Sequence, residues 1–473
     1  MKILLASSEA VPFAKSGGLA DVAGSLAMAV RNRQHACRVV LPLYQDIPQS
    51  YREKMKFVTS FYVPLGWRNQ YCGVFECTVG GLKYYLLDNE YYFRRAGLYG
   101  FYDDGERFAF FSKAVLEMVQ HIDFKPDILH CNDWQTALVP VYLNAFYRHL
   151  EDYKNIKTLF TIHNIQYQGV FDKQMVSDVL GLPGHAQHIV EFAGDVNYMK
   201  GAIDQCDLLS TVSPTYACEI LDPWYAHGLD SLLRDRQYKL HGILNGIDYT
   251  EYNPETDPKI ICNYSANNLA GKAANKRELQ NSLGLSADPD AMVIGVVSRL
   301  VSHKGMDLIQ YAFGRIMQEN VQFVLLGSGD WQYEKFFREA VSHYPRRVAV
   351  HLGFDSVLSQ KIYSGADAYL MPSRSEPCGL SQMIALRYGT VPIVRLTGGL
   401  KDSVTDLGGE TGNGYTFQTY NGEDMLWAIS RAATDFADKE KWQSYVTRAM
   451  NCDFSWGKSA NQYIALYKRL LEQ

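Results

Sequence analysis

Ile3-Leu4-Leu5-Ala6, followed by Ala14-Lys15-Ser16-Gly17-Gly18-Leu19-Ala20-Asp21-Val22, is the stretch on which the fold turns. The first four residues are a short apolar run with no helical period. From Leu19 onward the apolar residues Leu19, Val22, Ala23, Leu26 and Val30 recur at spacings of three and four, which is the period of one helix face. The chain therefore opens with a strand, a glycine loop and a helix. Two adjacent glycines let the backbone come close to a ligand. The start of a helix offers free N–H groups and the positive end of its dipole, and Lys15 adds a mobile cation. This combination suits a phosphate, or a sugar attached to one. Such turns also serve as plain tight corners. The loop is neither a Walker A loop nor Gly-x-Gly-x-x-Gly, so its meaning depends on the rest of the chain.

Residues 37–248 continue the same alternation. Strands are predicted at 37–41, 127–130, 158–162 and 208–212, and helices at 108–119 and 136–148. Tyr62 to Leu87 alternates and is rich in glycine, which predicts a small hairpin excursion. Repeated βα units imply a mostly parallel sheet. Polar residues gather where its strands end, at Lys15–Gly18, His130–Trp134, His163–Asn164 and Asn245–Asp248, and open α/β sheets bind ligands beyond those carboxyl ends. The pattern weakens between 250 and 290, where Asn253-Pro254 opens a run of turn residues and 272–283 reads as a polar helix. Alternation then restarts, with strands at 292–298, 321–326, 347–352, 368–372 and 391–395 and helices at 305–318, 331–343, 356–364 and 377–388. The fold class is thus α/β, with two Rossmann-like parallel-sheet domains expected to face each other across a deep cleft. Their spans are read as 1–245 and 246–453. Residues 454–473 form an amphipathic helix (Tyr463, Leu466, Tyr467, Leu470) expected to return to the first domain.

Composition excludes several classes. The chain has 473 residues, 47% hydrophobic and 21% charged, enough for two cores. Its formal net charge of −5 argues against a nucleic-acid or anionic-membrane surface. Nine scattered cysteines without a Cys-x-x-Cys pair are neither a disulfide framework nor a zinc pattern. No apolar run is long enough to span a bilayer, and no secretory leader is evident at the start. The expectation is a cytoplasmic protein without nucleic-acid or membrane partners.

Three loops in the second half carry charge or glycine at strand ends. Arg299 and Lys304 follow strand 292–298. Arg binds a diphosphate with its planar fork and Lys as a point charge, although a solvated basic loop is the plainer reading. Glu376-Pro377-Cys378-Gly379-Leu380 follows strand 368–372. Pro377 is expected in the first helical turn, with Glu376 at the helix entrance as either a cap or a ligand for sugar hydroxyls. Thr397-Gly398-Gly399-Leu400 is a glycine turn after strand 391–395, and Gly327-Ser328-Gly329-Asp330 is another. No Asp-x-Asp pair sits at a strand end, since Asp288-Pro289-Asp290 precedes a strand as a turn. That fits a site where side chains take the place of a divalent metal.

Taken together, Lys15-Ser16-Gly17-Gly18-Leu19, Glu376-Pro377-Cys378-Gly379-Leu380, His163-Asn164 with Tyr167-Gln168-Gly169, Asn245-Gly246-Ile247-Asp248, Arg299 with Lys304-Gly305, and Thr397-Gly398-Gly399-Leu400 resemble the bacterial glycogen synthase and plant starch synthase family over essentially the whole chain. The resemblance implies the GT-B glycosyltransferase architecture. It also implies transfer of glucose from ADP-glucose to the non-reducing end of an α-1,4-glucan with retention of configuration, and no required cofactor. UDP-glucose stays open as a donor. By resemblance the catalytic set is Lys15, His163, Arg299, Lys304 and Glu376. Gly17, Gly18, Asp21, Asn164, Asn245, Cys378, Gly379, Leu380, Thr397 and Gly398 bind the donor, and Asp133 and Trp134 are carried over toward the acceptor glucan. Phe354, after strand 347–352, is the candidate for stacking on the base, with a core role as the alternative. Retention invites a double displacement with Glu376 as nucleophile. With no second carboxylate evident, front-face attack with the leaving phosphate as base is preferred.

The chain departs from the pattern at Ser16, where Thr is common, and at Arg94-Arg95-Ala96-Gly97, where many members read Asp-Arg-Pro-Gly. The second departure bears on the acceptor rather than on the transfer. Two other readings remain: a retaining GT-B transferase with a different nucleotide sugar or small acceptor, and a glucan-binding protein without catalysis. Lys15, His163, Arg299, Lys304 and Glu376 occurring together speaks against the second.

Overall fold

The structure is a computed structural model that describes residues 1–409 and 411–472. The chain divides into two compact units, Met1–Gly246 with Trp456–Gln473, and Ile247–Ser455.

In the first unit β1 (Lys2–Ala6), β2 (Ala36–Pro42), β3 (Lys56–Leu65), β4 (Arg68–Val79), β5 (Leu82–Asp88), β6 (Ile128–Asn132) and β7 (Lys157–Ile162) join one nine-stranded sheet. Three short strands, β8 (Val170–Phe171), β9 (Glu191–Phe192) and β10 (Asp195–Asn197), form a separate small sheet. β11 (Leu208–Thr211) and β12 (Leu240–Gly242) complete the large one, in the order β12-β11-β7-β6-β1-β2-β5-β4-β3. All its pairings are parallel except β3–β4 and β4–β5. β1 is central, and Ile3, Leu4, Leu5 and Ala6 are essentially inaccessible, as expected for a parallel strand covered on both faces. Strand order reverses beside β1, which lies between β2 and β6.

Two local expectations are corrected here. Tyr62 to Leu87 is no small excursion. β5 is buried along its length (Leu82, Tyr84, Tyr85, Leu86, Leu87) and pairs in parallel with β2, so the β3–β4 hairpin extends the main sheet. The helix expected at 136–148 is instead a 3-10 turn, Trp134–Thr136, an α segment, Leu138–Tyr142, and a π segment, Leu143–Tyr147. Pro140 lacks the N–H that would bond to Thr136, so no unbroken α ladder can run through the stretch.

The closing helix, Trp456–Glu472, packs on helix Gly18–Arg31 and on β7 within the first unit. Tyr463, Leu466, Tyr467 and Leu470 are its buried face. Its polar ties include Tyr467 Oη to His130 Nδ1 at 2.8 Å, Arg33 to the Gly457 carbonyl at 2.9 Å and to Asn461 Oδ1 at 2.6 Å, and Ser459 Oγ to the Leu244 carbonyl at 2.5 Å. Gln473, the last residue of the predicted helix, lies outside the described residues.

The second unit holds a six-stranded, wholly parallel sheet of β13 (Met292–Val297), β14 (Val321–Gly327), β15 (Val348–Leu352), β16 (Ala368–Met371), β17 (Val391–Arg395) and β18 (Tyr415–Phe417). The order β15-β14-β13-β16-β17-β18 puts the reversal between β13 and β16. Helix Ala270–Ser282 reads as polar, yet Lys272, Asn275, Lys276 and Gln280 on it are buried. Lys272 Nζ lies 2.9–3.2 Å from Thr390 Oγ1 and from the carbonyls of Ser364, Ala366 and Tyr388, while Lys276 pairs with Asp367 at 2.8 Å. These lysines anchor the helix to the unit and belong to its interior. The helix expected at 377–388 spans only Ser381–Arg387. Gly379 at φ +67° breaks it, which leaves Glu376 and Pro377 in the preceding loop, outside any helical turn.

Candidate active site

In open α/β sheets the crevice beside a reversal of strand order, at the carboxyl ends of the strands, is where ligands bind. In the second unit the loops after β13 and β16 flank that point, and they carry Lys304 and Glu376. Lys304 Nζ lies 2.9 Å from Glu376 Oε1 and 2.7 Å from Oε2, and Ser373 Oγ donates to Oε2 at 3.0 Å. The carboxylate is 8% exposed and the lysine 19%. The backbones are joined as well, through Arg374 N to the His303 carbonyl at 2.9 Å. Gly305 makes the approach possible: at φ +80°, a Cβ there would stand 2.2 Å from the Pro372 carbonyl oxygen. Arg299 is exposed, and among the described residues its guanidinium has no ion-pair or hydrogen-bond partner. Burial, with Lys304 and Arg299 close by, holds the His303 imidazole below its ordinary range and so uncharged at neutral pH.

The glycine turns are explained in part by packing. A Cβ on Gly398 (φ +44°) would meet the Glu376 carbonyl at 1.9 Å, and one on Gly399 the Cys378 carbonyl at 2.1 Å. Gly399 N donates to the carbonyls of Glu376 and Pro377, both at 3.1 Å. So the start of helix Gly398–Ser403, with Thr397 buried ahead of it, clamps the loop carrying Glu376, Cys378, Gly379 and Leu380. Gly327 and Gly329 serve likewise, packed on the Ser298 and Leu300 carbonyls. Phe354 is 92% exposed, which removes the core role for it.

In the first unit the loops after β1 and β6 flank the reversal. Lys15 Nζ pairs with Asp21 Oδ1 at 2.7 Å. Beneath them Glu9, 3% exposed, accepts the Ser16 and Gly17 amides. Burial raises the Glu9 carboxyl above its ordinary range, against the pull of those amides. Gly17 itself is extended at φ −162°, and a Cβ there would meet nothing within 4 Å. The fold does not require a glycine at that position.

After β6, Asp133 adopts φ +56° and receives the amide of His163 at 2.7 Å and of Asn164 at 3.4 Å. Burial pushes its carboxyl up to about 7. His163 Nε2 lies 2.9 Å from Asn132 Oδ1. Asn132 Nδ2 donates to the Ala6 and His130 carbonyls, so Oδ1 is the acceptor and His163 carries its proton on Nε2. Burial depresses the imidazole to about 3. His163 is thus neutral, and its Nδ1 keeps a lone pair. Trp134 packs with Phe108, Phe171 and Tyr198, and Gly169 (φ +67°) leaves room for its ring. Asn245 is buried, and its Oδ1 has no partner among the described residues.

Residues 2–235 match the starch synthase catalytic domain and residues 278–449 the glycosyl transferases group 1. A glycogen synthase of Desulforamulus reducens is 50% identical over 475 residues, covering 100% of this chain and 99% of the relative. The chain belongs to the glycogen synthase family. A glycogen synthase of Alkaliphilus metalliredigens is also 50% identical, over 99% of this chain and 100% of its own. Among solved structures, the catalytic domain of starch synthase IV from Arabidopsis thaliana bound to ADP and acarbose is 36% identical, with a TM-score of 0.93 over 100% of this chain and 99% of that one. The protein is a glycosyltransferase, and its two doubly wound α/β units are those of the GT-B class.

The structure brings part of the expected set together. Lys304, Glu376, Cys378 and Gly398 come together in the second unit, and Asp133, His163 and Asn164 in the first, where Lys15 and Asp21 also pair. Sequence reasoning missed the residues beneath them: Glu9, Asn132, Ser373, and Gly305 as a spacer. For Glu9 a signal existed, a lone carboxylate three residues past a buried strand. Tyr99, whose hydroxyl lies 2.7 Å from Ser8 Oγ, carried no such mark.

Proposed function

We propose that this chain transfers glucose from ADP-glucose to the non-reducing end of an α-1,4-glucan with retention of configuration. The observation that carries the reading is the Lys304–Glu376 pair at the strand-order reversal, with the exposed Arg299 on the same loop as Lys304. Arg299 and Lys304 take the donor diphosphate, and Glu376 keeps Lys304 in place while accepting sugar hydroxyls. Cys378, Gly379, Leu380, Thr397 and Gly398 supply backbone to the same donor, and Phe354 stacks on its base. From the first unit, Lys15, Gly17, Gly18 and Asp21 serve the donor's phosphates and sugar, together with Asn164 and Asn245. His163 Nδ1, the lone-pair nitrogen, accepts a sugar hydroxyl, and Asp133 and Trp134 serve the acceptor side.

In the transfer the bond from C1 to the phosphate oxygen breaks and its electron pair leaves on the diphosphate. A glucan hydroxyl oxygen bonds to C1 on the same face, and its proton passes to the departing phosphate. Lys304 and Arg299 stabilise the charge that develops on the leaving group. Lys304, held in place by Glu376, supplies about 3–4 kcal/mol, the scale of removing one preorganised donor. No metal or cofactor is assigned a part. Glu376 is poorly disposed to act as nucleophile, because both its oxygens are held by Lys304 and one also by Ser373. The protein works in the cytoplasm on this reading.

The test is incubation with glycogen and labelled ADP-, UDP- or GDP-glucose. Incorporation from ADP-glucose, with UDP-glucose slower, is expected. Incorporation from none of the three contradicts the reading.

A further inference from the structure

Tyr420 lies three residues beyond the edge strand β18, yet its side chain reaches back to the centre of the sheet. Its hydroxyl is 2.6 Å from Asp307 Oδ1 and 3.1 Å from the Ser302 carbonyl, so one proton is shared between two acceptors. Ser302 opens the 3-10 turn that ends in Lys304, and Asp307 is in the first turn of the next helix, Met306–Ile316. The two acceptors thus bracket Lys304. On its ring Tyr420 carries two guanidinium groups, Arg374 at 4.6 Å and Arg395 at 5.6 Å from the centroid. Arg395 also donates to the Arg374 carbonyl at 2.8 Å and lies 3.4 Å from that of Ser373, and Ser373 is the residue whose hydroxyl holds Glu376. One tyrosine therefore touches both loops of the Lys304–Glu376 pair, through its hydroxyl on one side and its ring on the other.

The tyrosine is itself fixed. The next residue, Asn421, caps helix Gly422–Ala437 by accepting the Asp424 amide at 2.7 Å. That helix is joined to Met306–Ile316 by Arg315–Glu423 at 2.7 Å, and Tyr311 covers Gly422 so closely that a Cβ there would stand 2.4 Å from its ring.

We propose that Tyr420 is a positioning residue for the transfer: its hydroxyl sets the Lys304 loop and its ring sets the Glu376 loop through Arg374 and Arg395. The inference rests on the proposed glucosyl transfer. A catalytic cation displaced by about 1 Å can lose on the order of 100-fold in rate, so a brace of this kind acts on turnover more than on donor binding.

The experiment compares wild type, Tyr420→Phe, Tyr420→Leu, Asp307→Asn and the Tyr420→Phe/Asp307→Asn double variant in steady-state incorporation from ADP-glucose into glycogen, with thermal unfolding of each. Tyr420→Phe keeps the stacked arginines and loses only the hydroxyl. It is expected to lose about 10-fold in kcat with KM for the donor within about 3-fold, and Tyr420→Leu about 100-fold. The double variant should lose less than the product of its two single variants, because the Tyr420–Asp307 contact is common to both, while Asp307 also pairs with Arg374 at 3.9 Å. Tyr420→Phe with wild-type kcat, or losses that multiply in the double variant, would overturn the inference. A drop in kcat matched by an equal drop in folded fraction would overturn it too. Inactive wild type would instead remove the reading on which it rests.

Discussion

At the scale of single residues, Gly17 separates what the fold needs from what a ligand needs. Its backbone is extended and the space at its Cβ is empty, so alanine fits there without strain. If the donor comes against this backbone, an added methyl stands in its way. Gly17→Ala should melt within about 2 °C of wild type, since a fitting methyl changes stability by well under the few degrees that 1 kcal/mol moves a melting point, and lose at least about 10-fold in kcat/KM for ADP-glucose, the factor that goes with 1.4 kcal/mol. A variant with unchanged kinetics would show that no ligand approaches there. Asp133 offers a test by pH. Its carboxyl is raised from the ordinary 3.8 to about 7 by burial, so the folded state binds more protons than the unfolded one between those values. Stability from this group is full at low pH and is lost as pH rises through about 7. Asp133→Asn keeps the Oδ1 acceptor for the His163 amide and removes the titration. The melting temperature of wild type relative to Asp133→Asn should therefore fall as pH goes from 4 to 7, and parallel profiles would contradict the assignment.

At the scale of elements, the loop and helix after β13 carry two glycines with opposite roles. Gly305 is left-handed and pressed against the Pro372 carbonyl, whereas Gly314 lies exposed in helix Met306–Ile316 with its nearest neighbour, Tyr344 Oη, 3.9 Å from a built Cβ. Gly305→Ala should destabilise by about 2 kcal/mol or more, from left-handed strain and the backbone clash. Gly314→Ala should stabilise by about 0.5–1 kcal/mol. Urea unfolding of the two variants reads both signs, and equal shifts would refute the packing account. The same loop shows what was legible beforehand. Period-3.6 and apolar runs located β1, β2, β6, β7, β11 and β13–β17, because burial on two faces leaves a strong pattern, but not the short strands β12 and β18 or the helices Gly422–Ala437 and Lys439–Met450. The short span of helix Ser381–Arg387 was not legible, since Pro377 is equally at home before a helix and in its first turn, and only the left-handed Gly379 decides. Nor was the role of Gly398 and Gly399, whose neighbours Glu376 and Cys378 are close in space but not in sequence.

At the scale of the whole molecule, the first unit is built from both ends of the chain. His130, buried against Tyr467 and 2.6 Å from Thr161 Oγ1, joins the closing helix to the middle of the sheet. A chain ending at Ser455 should lose hydrogen-exchange protection in helix Gly18–Arg31 and in β6 and β7, while β13–β17 keep theirs. Uniform loss across both units would contradict that division. The central claim is that the Lys304–Glu376 pair carries glucosyl transfer. The most direct measurement is steady-state incorporation from ADP-glucose into glycogen by wild type, Lys304→Ala and Glu376→Ala, with folding checked by thermal unfolding. The account predicts that each variant folds and loses about 100-fold or more in kcat, the scale of one preorganised charge at the transition state. Either variant turning over at the wild-type rate would contradict it.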